Sequence, residues 1–132
     1  MKFLTREHLL FMHDALLEHY GGESGFLNES SLDSALAAPV NRRGYENAGL
    51  AACAASYAFH LTKAHSFVDG NKRLGAAAAT AFIVVNGALL LANETELHDL
   101  ILAIADGSMP RDQADAWFAA RVRESPDDAA AP

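Results

Sequence analysis

An all-α fold, a compact bundle of about six helices, is predicted by two patterns in the chain. Apolar residues recur three and four positions apart in segments that end at Gly21-Gly22, Asn86-Gly87 and Asp106-Gly107, which is the spacing of helices followed by their usual stop signals. Two of these segments, 47–63 and 74–85, are rich in alanine and apolar nearly all round, as helices at the centre of a bundle must be. With 132 residues the chain fits one domain, large enough to bury about two-thirds of its unfolded surface. That domain is expected to span 1–124. The remaining 125–132 is Pro-, Asp- and Ala-rich, has no apolar area to bury and is expected to be disordered.

The first helix is expected over 6–19. Thr5 is its N-cap, Glu7 lies in its first turn, and Leu9, Leu10, His13, Leu16, Leu17 and Tyr20 form its apolar stripe. His13 falls on that stripe and reads as a hydrogen-bonded structural residue. After a loop at 25–28, Ser30 or Ser31 caps a short helix through Leu32 and Leu36 that Pro39 is expected to stop. The stretch 40–46 that follows reads as an irregular polar connection in which Arg42 and Arg43 are solvated cations. The two Ala-rich helices then flank a polar loop, their small residues permitting close approach. Ala88 to Leu91 reads as a strand-like link. Asn93 and Glu96 have capping-box spacing before Leu97, Leu100, Ile101 and Ile104. A last helix is expected from Ser108 and Pro110, with Ala114, Trp117, Phe118 and Val122 turned inward.

Net charge is −7 and the isoelectric point about 5.2, a balance that opposes direct binding to nucleic acid or to an anionic membrane. The single Cys53 reads as a small core residue in a reducing compartment. The N-terminal residues lack the apolar run of a signal peptide, and no segment approaches the length of a membrane span. A soluble cytoplasmic protein is expected.

Chemistry concentrates in the loop, His65-Ser66-Phe67-Val68-Asp69-Gly70-Asn71-Lys72-Arg73. Its second half opens a helix, whose first N–H groups lack internal partners and carry the positive end of the dipole. Gly70, Asn71, Lys72 and Arg73 therefore suit phosphates, the two cations adding a point charge and a planar fork of donors. A polyphosphate beside Asp69 calls for a mediating cation, and Mg²⁺ bound by one carboxylate plus phosphate oxygens is the usual arrangement. His65 is the proton acceptor suited to neutral pH. Phe67, apolar among polar neighbours, anchors the loop in the core.

This stretch resembles the Fic/Doc superfamily motif His-x-Phe-x-Asp/Glu-Gly-Asn-Gly/Lys-Arg at every defined position. Lys72, where adenylyl-transferring members carry glycine, makes it similar to the death-on-curing toxin branch, as do His13-Asp14-Ala15 and Tyr20-Gly21-Gly22. The likeness covers roughly 5–120. It implies a toxin of a type II toxin-antitoxin system, a kinase-like transferase moving the γ-phosphate of ATP, or another nucleoside triphosphate, to a Ser or Thr hydroxyl. The target it implies is a translation factor, elongation factor Tu. Two rivals stand beside this reading: adenylyl transfer to a protein hydroxyl, and a catalytically silent partner-binding module. Fic-like folds also carry a flap that aligns the target, expected here near 40–46. The inhibitory pattern Ser/Thr-x-x-x-Glu that restrains many relatives in cis is absent, because no Ser or Thr has glutamate four residues on. The resemblance therefore implies a separate antitoxin acting in trans.

Overall fold

The computed structural model describes residues 1–124; the tail expected to be disordered, 125–132, lies outside them. The described chain runs α1 (Arg6–Tyr20), α2 (Glu29–Glu46), α3 (Leu50–Ala64), α4 (Asn71–Val85), β1 (Ala88–Leu90), α5 (Glu94–Ala105), α6 (Arg111–Arg121) and β2 (Val122–Glu124). The all-α architecture expected from the periodicity is present. The two short strands pair antiparallel, Leu89 opposite Arg123. Val122 thus belongs to a strand that closes against the expected strand-like link, not to the inward stripe of the last helix.

Helices α3 and α4 form the centre, packed on each other with α2 and α6 against α3. Cys53, Ala54, Tyr57, Ala58 and Leu61 of α3 meet Leu74, Ala78, Ala79 and Phe82 of α4 in the core. The Cys53 thiol is pushed up by burial, so it is a poor nucleophile. The Tyr57 hydroxyl, pushed up to about 12 by burial, accepts the Leu4 N–H at 2.9 Å and ties down the N-terminal segment. The α3–α4 approach is close at Gly75. A methyl placed there would stand 2.4 Å from Thr62 Oγ1 and 3.1 Å from the Ala58 carbonyl oxygen. Gly75→Ala is accordingly expected to cost about 1–3 kcal/mol by overpacking, read as a lowered denaturant midpoint with an unchanged slope.

Helix boundaries differ from expectation in α2 and α6. Asn28, not Ser30 or Ser31, caps α2, its Oδ1 accepting the Ser31 N–H. Pro39 does not stop the helix, which continues to Glu46. An interior proline costs about 3 kcal/mol, and tertiary contacts offset it. Pro39 is buried, and beyond it Arg42 grips Asp115 of α6 with both terminal nitrogens at 2.9 and 2.8 Å while donating to the Ala52 carbonyl of α3 at 3.1 Å. Arg42 is thus a structural clamp rather than a solvated cation. Its hydrogen bond holds the Glu46 carboxyl below the usual range. Arg43 donates to the Ala48 carbonyl at 3.0 Å. Pro110 stands at the N-cap of α6, and Ser108 bonds back to α5 instead. Thr5 and Asn93 close the capping boxes of α1 and α5. No helix among the described residues is long and apolar enough to cross a membrane.

Candidate active site

The polar loop begins where α3 ends. His65 is the C-cap, held in the left-handed region at φ 48°, an uncommon conformation for a residue with a Cβ and one that recurs at functional positions. Its exposed ring makes no hydrogen bond among the described residues. Two residues on, Phe67 turns inward and is buried, stacked at 3.7 Å on His13 of α1 and at 5.0 Å on Phe26. The Asn71 carboxamide then closes the loop on itself, Oδ1 accepting the Phe67 N–H at 3.1 Å and Nδ2 donating to the Phe67 carbonyl at 2.8 Å. With both ends of that side chain engaged, what Asn71 offers a ligand is its backbone N–H.

Gly70, at φ 85°, is the N-cap of α4 and supplies no side-chain cap. The first helical bond runs from the Leu74 N–H to the Gly70 carbonyl at 2.9 Å. The N–H groups of Asn71, Lys72 and Arg73 are left without acceptors among the described residues. These orphan donors sit at the positive end of the α4 dipole. The Lys72 and Arg73 side chains, both exposed, find no carboxylate among the described residues; Arg73 lies 4.3 Å over the ring of Tyr20. The donor set fits a polyanion.

Asp69 is held from two sides by the N-terminal part of the chain. Its carboxylate accepts the Glu23 N–H at 2.7 Å, and its carbonyl accepts from His13 Nε2 at 2.7 Å. The other carboxylate oxygen is open to a hard cation of the magnesium type, which takes few protein ligands and keeps phosphate or water oxygens for the rest. Segment 25–28 runs alongside: the Leu27 and Asn28 N–H groups donate to the Ser66 carbonyl, and the Val68 N–H to the Gly25 carbonyl. The chain beside the loop is therefore 22–28. Residues 40–46, where a flap was expected, are helical and committed to the core-side clamp of Arg42.

His65, Asp69, Gly70, Asn71, Lys72 and Arg73 all line one cleft of about 1220 Å³, whose opposite wall is α5 with Leu97, His98, Ile101 and Leu102. His60 does not line it, and burial together with Arg111 and Arg42 lowers its proton affinity. The supports His13, Glu23 and 25–28 went unread as parts of a site. Glu23 and Gly25 act through backbone atoms, which leave no side-chain signal, whereas His13 signals itself as a polar residue on an apolar helical stripe.

Residues 3–83 match the family model described as the Fic/DOC family. Among curated proteins, the "Protein kinase doc" of Escherichia phage P1 is 29% identical over 110 residues, spanning 83% of this chain and 86% of that relative.

Proposed function

The chain belongs to the Fic/DOC family, and from that premise we propose that it is a cytoplasmic toxin acting as a protein kinase. It moves the γ-phosphate of ATP, or of another nucleoside triphosphate, to a Ser or Thr hydroxyl of a translation factor; elongation factor Tu is the target that the family resemblance implies. The observation that carries this reading is the cradle at the start of α4: among the described residues the backbone N–H groups of Gly70 to Arg73 have no acceptor and Lys72 and Arg73 have no carboxylate partner, with His65 on the same rim.

His65 takes the proton of the target hydroxyl as its oxygen bonds to the γ-phosphorus. The bond from that phosphorus to the β–γ bridging oxygen breaks, and ADP leaves. Asn71, Lys72 and Arg73 hold the phosphates in line through N–H groups and side-chain charge, so positioning and electrostatics supply most of the acceleration. Magnesium held by Asp69 and phosphate oxygens would neutralise the charge that gathers on the leaving group. Lys72 favours phosphoryl over adenylyl transfer, because its side chain fills space that a glycine leaves for the α-phosphate and so brings the γ-phosphate to His65. Phe26, Leu27 and Val68, exposed beside the loop, are where the target chain docks.

Restraint comes in trans. The cleft continues from the loop between α4 and α5 over Ala76, Ala77, Leu97, Ile101 and Leu102, an apolar trough that suits a helix folding on binding from a disordered antitoxin segment. Expression of the chain alone is expected to arrest growth and modify a translation factor, with relief on co-expression of the small protein encoded beside it. A chain harmless at high level in its own host, with unmodified translation factors, overturns the toxin reading.

A further inference from the structure

We infer that His13, on α1, is a positioning residue that aims the backbone amide of Gly70 at the bound phosphates; this rests on the polyphosphate-binding reading of the loop given above. His13 is only 3% exposed, and burying a polar ring among aliphatic side chains costs free energy unless it is hydrogen-bonded. Its ring is fixed in plane by stacking on Phe67, at 3.7 Å and 16°. Nε2 lies 2.7 Å from the Asp69 carbonyl oxygen. A carbonyl only accepts, so Nε2 carries the proton.

The consequence follows from peptide geometry. No peptide bond among the described residues is cis, and in a trans peptide the C=O and the following N–H point in opposite directions. With the Asp69 carbonyl drawn toward α1, the Gly70 N–H points the other way, away from the buried side. It has no acceptor among the described residues and joins the free N–H groups of Asn71, Lys72 and Arg73. Gly70 is the residue at which this arrangement is least secure, because glycine tolerates both signs of φ and the 69–70 peptide can rotate about its flanking bonds. The rotated form would turn a carbonyl oxygen toward the phosphates. His13 selects the productive form, and it also crowds the glycine: a Cβ there would meet His13 Nε2 at 3.3 Å. The Asp69 carboxylate has its own support in the Glu23 N–H, so the effect of His13 falls on the amides rather than on the metal-binding side chain.

Two variants separate positioning from packing. His13→Phe keeps a ring against Phe67 and removes the donor; His13→Gln restores an N–H on a flexible stem. Binding of ATP and of inorganic triphosphate is measured by calorimetry without magnesium, together with the melting temperature. His13→Phe is expected to bind both probes about tenfold to a hundredfold more weakly than the parent, the range for a lost hydrogen bond to a charged group, while His13→Gln recovers most of the loss. In the ¹⁵N-labelled parent, inorganic triphosphate is expected to shift the Gly70 amide resonance, a readout that does not depend on either variant folding. Unchanged affinity in folded His13→Phe, or a Gly70 amide indifferent to triphosphate, overturns the inference while leaving the kinase reading intact. A parent that binds triphosphate through Gly70 but transfers no γ-phosphate overturns the kinase reading alone, and a parent that binds neither probe, with magnesium or without it, overturns both.

Discussion

His65→Ala lowers phosphoryl transfer at saturating ATP by about 10² to 10⁴-fold, the usual contribution of a general base, and leaves nucleotide affinity near that of the parent. The proposed phosphate ligands belong to the start of α4 and do not depend on the imidazole. Stability changes little as well, since the ring is exposed and has no hydrogen-bond partner among the described residues. Single-turnover rates and calorimetric titration check both halves. A buried structural histidine would instead show a lowered melting temperature with proportionate loss of every activity.

Asp69→Asn is expected to lower transfer by about 10² to 10³-fold, the scale on which removing one preorganised electrostatic partner acts, without unfolding the loop. Asparagine Oδ1 still accepts the Glu23 N–H that Asp69 now accepts at 2.7 Å, and the backbone carbonyl still meets His13. Only the charge is lost. Transfer measured across a magnesium titration checks the assignment: the variant requires far more metal than the parent. Equal metal dependence in both proteins would remove Asp69 as the magnesium ligand.

Local signals account for what was legible in the chain. The alanine-rich runs and Asn86-Gly87 mark α3 and α4, Thr5 and the Asn93/Glu96 pair mark two helix starts, and the polar residues read as a site, 65–73, are consecutive. What was not legible depends on partners far along the chain. Pro39 reads as a breaker because nothing nearby announces Asp115, 73 positions from Arg42, as the group that holds the second half of α2 in place. The same applies to His13. Its stripe position on α1 shows that it is buried, but not that it grips the Asp69 carbonyl 56 positions later. Nor does any side-chain pattern mark 25–28 as the stretch beside the loop, because backbone N–H and C=O groups make its contacts.

The most direct test of the central claim, that this loop transfers the γ-phosphate, is incubation of the purified chain with ATP labelled at either the α- or the γ-phosphate in a cytosolic extract. Label from the γ-phosphate is expected to enter one protein at a Ser or Thr, and label from the α-phosphate to enter none. Label entering from the α-phosphate and not from the γ-phosphate would contradict the account and make the enzyme an adenylyltransferase.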